Sequence, residues 1–293
     1  MRLPVASLAI PGLLTVVAGL AEGQPQRVAV IGHRGGSALA PENTLACYEK
    51  AIALGADYVE IDVRVTRDGR FVLMHDGKVD RTTDGSGAIA ELDFAAIRAL
   101  DAGSWFAPEY AGQRVPTLAE ALALCRGRIG IYLDHKEGSI ARIARLIREA
   151  KMIDHVVVYD GPEELAEWKR VAPRLPVMIS PDDEYRHRGG IAELLAKAPA
   201  DILDGNAGEW TPELVAEAHA HGARVFVDNL GLTDNEGWYR KAIEMGVDGI
   251  QTDHPDAVIR LLAEGDGGRW PSIISWGVGL WLPDAPRSGA RDP

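Results

Sequence analysis

Cysteine is scarce in this chain: of 293 residues, only Cys47 and Cys125 are cysteines. There is no Cys-x-x-Cys pair and no Cys/His cluster, so zinc sites of the usual spacing are not indicated. Both cysteines lie in Ala/Leu-rich stretches and read as buried helical thiols. Positive charge is also short, with 31 Lys and Arg against 43 Asp and Glu, a net charge of −12. That balance argues against nucleic acid or an anionic membrane held by bulk electrostatics. It leaves room for a small anionic substrate, because a metal and a few local cations reverse the field inside a cleft. The turn after the first strand-like run is His33-Arg34-Gly35-Gly36-Ser37. It lacks the Gly-x-Gly-x-x-Gly pattern of a dinucleotide-binding open sheet. Beyond residue 21 no apolar run is long enough to span a bilayer.

The first residues differ in kind. Arg2 precedes an apolar, small-residue segment from Leu3 to Leu20, and Gly19-Leu20-Ala21 offers a small-x-small cleavage site. Residues 1–21 read as a secretory signal peptide, which makes the mature chain periplasmic or secreted; if the leader is not a real signal, the chain is cytoplasmic. Pro4 and Pro11 disfavour one unbroken spanning helix. No cysteine follows the segment, so a lipoprotein anchor is not indicated. Residues 264–293, rich in Gly, Pro and Trp, read as a tail without chemistry.

Between these ends, residues 27–263 alternate strand and helix patterns. The strand-like runs are Val28–Ile31, Tyr58–Val65, Phe71–Met74, Ile129–Leu133, Val156–Tyr159, Val177–Ile179, Asp201–Leu203, Arg224–Val227 and Gly249–Thr252. Helix starts are marked at Pro41-Glu42-Asn43-Thr44, Pro116-Thr117-Leu118, Pro162-Glu163-Glu164 and Thr211-Pro212-Glu213, and Gly55, Gly222 and Gly246 stand where helices should stop. If Phe71–Met74 is a hairpin extension of the second strand, eight βα units remain. Eight such units predict one (β/α)8 (TIM) barrel. Gly77 to Gln113 is a long excursion before the next helix.

In a barrel the chemistry sits at strand C-terminal ends, and there the polar residues gather. Glu60 and Asp62 share one strand face, while Val59, Ile61 and Val63 take the other. The apolar set would face the helix layer and the acids the barrel interior. Two buried carboxylates need a proton or a cation, and a hard divalent ion, Ca2+ or Mg2+, suits them. Asp134 and Lys136 alternate in the same way, the acid as a third ligand and the lysine toward a phosphate oxygen. His33 and His75 bracket the carboxylate pair and are the acid/base candidates. Arg34 offers paired donors to phosphate. Glu42 and Asn229 are supporting candidates. His135, His155, His187, His219, His221 and His254 lack such company and read as structural or solvated.

Taken in order, His33-Arg34-Gly35, Pro41-Glu42-Asn43-Thr44, Glu60-x-Asp62, His75-Asp76, Arg81-Thr82-Thr83, Val115-Pro116-Thr117-Leu118 and Gly246-Val247-Asp248-Gly249-Ile250 with Thr252-Asp253 resemble the glycerophosphodiester phosphodiesterases, from about Val28 to Leu262. The resemblance implies a (β/α)8 barrel that uses a divalent ion to hydrolyse glycerophosphodiesters to glycerol 3-phosphate and an alcohol. It implies acid/base roles for His33 and His75, metal ligation by Glu60, Asp62 and Asp134, and phosphate binding by Arg34 and Lys136. Two positions depart from the family pattern. Asp134-His135-Lys136 replaces Glu-x-Lys, a ligand one methylene shorter. Val227-Asp228-Asn229 replaces an aromatic end on the seventh barrel strand, which bears on the alcohol pocket. A related expectation is phospholipase-D-like action on lysolipids or sphingolipids, using an apolar groove at Trp105-Phe106 or in the Trp276–Leu282 stretch. A third is a non-catalytic exported binding protein on the same barrel. The nucleophile, water or the glycerol 2-hydroxyl, and the oligomeric state stay open at this level.

Overall fold

The structure is a computed structural model and describes residues 27–265. Eight parallel strands close into a barrel: β1 (Ala29–Gly32), β2 (Tyr58–Val65), β4 (Gly130–His135), β5 (Val156–Tyr159), β6 (Val177–Ile179), β7 (Ile202–Leu203), β8 (Arg224–Asn229) and β9 (Gly249–Thr252). Closure comes from the pairing of β1 with both β9 and β2. β3 (Phe71–Leu73) pairs antiparallel with β2 and stands outside the ring, as the hairpin reading requires. The signal-peptide segment, the tail and Trp276–Leu282 lie outside the described residues.

Helices follow the strands as their start signals dictate. Thr44 caps α1 (Leu45–Leu54) by accepting the Cys47 amide, so Pro41-Glu42-Asn43 is a lead-in rather than a first turn. Thr117 and Glu120 form a capping box on α3 (Leu118–Cys125), which satisfies two otherwise orphaned N-terminal groups. Thr211 caps α7 (Pro212–Ala220), whose first residue is proline. The last helix runs Pro255–Gly265, past residue 263. Cys47 and Cys125 are free and buried, as their sequence contexts predict.

Strand parity divides the core in two. Val59, Ile61 and Val63 face out into the large helix–barrel core. Ala29, Ile31, Tyr58, Tyr132, Val157, Met178, Ile202 and Phe226 fill the barrel axis. The two large rings need small neighbours: a Cβ on Gly130 would lie 2.5 Å from the Tyr58 ring, and one on Gly249 would lie 2.6 Å from the Phe226 ring. This plug is the floor on which the polar rim stands. The excursion after β3 carries its own satellite core of Val72, Met74, Val79, Ile89, Ile97, Ala102 and Val115. It includes the short α2 (Phe94–Ala99).

Candidate active site

Two residues further along each strand, the same inward parity turns from apolar to polar. A cavity of about 410 Å³ opens there, and its lining includes His33, Arg34, Glu60, Asp62, His75, Asp134 and Lys136. Every residue assigned from sequence to catalysis, metal or phosphate therefore meets in one space.

Three carboxylates form the centre. Glu60, Asp62 and Asp134 each offer an oxygen, and these oxygens lie within 4.8 Å of one another. The shorter Asp134 arm still reaches, because β2 and β4 pair with Asp62 opposite Asp134. Glu60 is buried; desolvation, and then repulsion from Asp62 and Asp134, push its pKa well above the ordinary carboxylate range. Burial also raises Asp134, against the pull of Lys136. A set of hard oxygen donors that resists carrying its own charge fits a hard divalent cation. Lys136 Nζ donates to Asp134 Oδ2 at 2.5 Å and lies 3.2 Å from Asp62 Oδ1. Burial works against its charge, but the acids win and hold its pKa up.

The carboxylates are aimed by neighbours. Asn43 Nδ2 donates to Asp62 Oδ2 at 2.7 Å, and its Oδ1 accepts from the Asp62 amide and from Tyr48 Oη. The Arg34 amide donates to Glu60 Oε2 at 2.6 Å. That contact requires the tight turn after β1, in which Arg34 takes φ 50° and Gly35 φ +97°. A left-handed arginine is a local strain of the kind found at functional sites. A side chain at residue 35 would also meet Cys47 Sγ at 2.8 Å.

Each histidine is held through Nδ1. His33 pairs with Asp253 Oδ1 at 2.6 Å, and Ser37 Oγ donates to the same oxygen. Burial opposes the Asp253 charge, but His33 and Ser37 hold its pKa below the usual range. His75 pairs with Asp76 Oδ1 at 2.9 Å, and Arg64 fixes its backbone carbonyl at 2.9 and 2.6 Å. Arg81 donates to both Asp76 and Glu42, and Glu42 accepts from Arg34 as well. With Nδ1 engaged, Nε2 is the nitrogen left to face a substrate.

Glu42 thus supports from outside the cavity, bracing Arg34 and Arg81. Asn229 does not join the site. Along β8, Phe226 and Asp228 point inward, so Asn229 faces the other way, donating to the Thr233 carbonyl. Its neighbour Asp228 lines the cavity instead. Trp105 and Phe106 stack edge-on, with Phe106 also against Tyr110, and neither lines the cavity. His135 pairs with Asp160, which also accepts from Trp168 Nε1, a structural role as expected. The sequence reading missed Asn43, Arg81, Asp76 and the inward residues of β5 to β9. Arg81, Asp76 and Asn43 were visible as motif members without roles. Asp228 was available from strand parity.

Such a barrel, with its chemistry on the C-terminal rim around an acidic cluster and two braced histidines, is a (β/α)8 hydrolase. The family model for glycerophosphoryl diester phosphodiesterases matches residues 33–257, and the chain belongs to that family. A glycerophosphodiester phosphodiesterase of Caldanaerobacter subterraneus subsp. tengcongensis is 32% identical over 247 residues, covering 80% of this chain and 98% of the relative. Among solved structures, the glycerophosphodiester phosphodiesterase of Agrobacterium tumefaciens superposes with a TM-score of 0.72 at 30% identity, covering 80% of this chain and all (100%) of that one. An Oleispira antarctica phosphodiesterase, solved in complex with the product sn-glycerol-3-phosphate, gives a TM-score of 0.70 at 28% identity over 80% of this chain and 96% of its own.

Proposed function

We propose that this enzyme hydrolyses glycerophosphodiesters to glycerol 3-phosphate and an alcohol, using Ca2+ or Mg2+ held by Glu60, Asp62 and Asp134. The observation that carries the reading is one cavity lined by three mutually close carboxylates, two braced histidines and two cations. The ion, when bound, offsets phosphate charge and orients the glycerol hydroxyls. Lys136 and Arg34 then hold non-bridging phosphate oxygens. One of His33 and His75 takes the proton of the nucleophile, and the other protonates the departing alkoxide. Asp253 and Asp76 engage Nδ1 of each ring, which fixes its tautomer and orientation. The nucleophile is water or the glycerol 2-hydroxyl, and trapping a cyclic glycerol phosphate separates the two.

The test is glycerol 3-phosphate release from a panel of soluble diesters, with each ion and with a chelator. Release that needs a divalent ion supports the reading. No release from any diester, or full activity in His33→Ala, defeats it. Export belongs to the same proposal and rests on the residue 1–21 pattern; N-terminal sequencing of the processed protein tests it.

A further inference from the structure

The cavity has a second polar face that the chemistry above does not use. It is built by the inward residues of β5 to β9: Tyr159, Ser180, Asp204, Asp228 and Gln251. Asp204 immediately follows β7. In the ring order, β7 stands four strands from β2 in either direction. Asp204 therefore faces Glu60 and Asp62 across the mouth of the barrel.

This face is short of hydrogen-bond donors. Asp204 is 3% exposed; its Oδ2 accepts from Tyr132 Oη at 3.1 Å, and its Oδ1 is buried without a partner. Gln251 spends its amide donor on Asp228 Oδ1 at 2.5 Å, which leaves its own buried Oε1 unpartnered. Arg186, the lining cation of this half, is committed to Glu209 and to the Pro181 carbonyl. Burial and the charge of Asp228 push the Asp204 carboxyl well up, against hydrogen bonds from Tyr132 and the Gly205 amide. The lone acceptors call for donated hydrogens, and two carboxyls buried together call for a proton or for positive charge, needs that an ammonium meets with its N–H donors and its charge.

Three kinds of leaving alcohol can be weighed against that demand. A polyol brings O–H donors without charge. A trimethylammonium alcohol brings charge without a donor. A primary ammonium brings three N–H donors and the charge together. We propose that Asp204, Asp228 and Gln251 form the subsite for the leaving alcohol and select one bearing a primary ammonium, as in glycerophosphoethanolamine. This inference rests on the phosphodiesterase reading and names the substrate class within it. The glycerol phosphate end lies on the β1–β4 side and the ammonium reaches the β7–β8 side.

The experiment compares kcat/KM for glycerophosphoethanolamine, glycerophosphocholine and glycerophosphoglycerol at one pH and ionic strength. The wild type should favour the ethanolamine diester at least tenfold over the other two. Asp204→Asn and, independently, Asp228→Asn should each cut that ratio at least tenfold, mainly through KM. A loss of fold alone would lower all three substrates together and leave the ratio in place. Equal or better use of the choline or glycerol diester by the wild type overturns the proposal, as does an unchanged ratio in both variants. If no diester is hydrolysed, the phosphodiesterase reading fails by itself. The subsite is then read by calorimetric titration of wild type and Asp204→Asn with ethanolamine and choline. Binding of ethanolamine that is no tighter than choline, or no weaker in the variant, overturns it.

Discussion

The Asn43 side chain grips Asp62 at two points, donating to Oδ2 at 2.7 Å and accepting from the backbone amide at 3.2 Å. A residue outside the barrel thereby sets both the carboxylate and the strand of a proposed metal ligand. Asn43 itself sits at φ 54°, a left-handed conformation that Asn tolerates better than most residues. Asn43→Ala should weaken divalent-ion binding about 10–100-fold, the usual effect of losing a ligand's supporting partner. It should also cost roughly 1–3 kcal/mol of stability, because the Asp62 amide and Tyr48 hydroxyl lose their acceptor. Ion titration and denaturant melts read the two effects separately.

The acidic cluster predicts ion-dependent stability. At an ion concentration about 100 times Kd, binding should add about 2.7 kcal/mol. For a domain of this size each kcal/mol moves Tm by about 2–4 °C. Glu60→Gln should lose most of that rise while melting no lower than the wild type without ion, since it removes a charge that burial disfavours. A Tm rise of wild-type size in the variant would remove Glu60 from the ligand set.

The histidines should divide from the lysine in kinetics. His33→Ala and His75→Ala should each lower kcat about 10²–10⁴-fold, the range for losing a general acid or base. Asp253→Asn should lower it less, since the His33 ring stays in place but loses the carboxylate that orients it through Nδ1. Lys136→Met should raise KM for the phosphodiester as well. Equal kcat and KM effects from all four would argue against separate roles.

Acid sensitivity should arise in the excursion after β3. Hydrogen bonds from Arg81, against some burial, hold Asp76 well below the usual carboxylate range, and His75 adds to this. The amides of Ser104, Gly112 and Gly103 do the same for Asp101. Both groups titrate lower folded than unfolded. Their stabilisation is complete above the unfolded value of about 3.9 and is lost as pH falls toward the folded values. Asp101→Asn should be less stable than wild type at pH 6, with the gap closing below about pH 4. Melts across that range test it, and a gap independent of pH would contradict it.

Much of this was legible because strand parity carries information in both directions. Tyr58, Glu60 and Asp62 alternate with Val59, Ile61 and Val63, and the alternation alone places the acids inside. The same rule at the end of β8 makes Asp228 the inward residue and turns the supporting candidate Asn229 away from the cavity. Asn43 stayed hidden because Pro41–Thr44 reads as a helix start; its left-handed backbone and its reach to β2 are tertiary facts. Asp204 follows a strand of only Ile202–Leu203, too short for periodicity to orient it. Arg186 comes from a loop whose path no local pattern predicts. The Asp134 substitution looked like a shortfall in sequence, and the β2–β4 register makes up the difference.

The placement of His75 has a further consequence. One candidate proton carrier, His33, immediately follows a strand of the closed ring, and the other, His75, follows β3, a branch that takes no part in closure. Strand number and shear bind the ring geometry tightly. The branch joins the ring at β2 alone, through the β3 ladder, the Met74 amide on the Asp62 carbonyl and Arg64 on the His75 carbonyl. Insertions or deletions between Gly77 and Gln113 fall beyond these anchors, so they can reshape the wall beside His75 without altering the cylinder or releasing the histidine from β2. Ring and ladder thus hold the two histidines in one frame, and variation in the excursion is where substrate reach can be retuned.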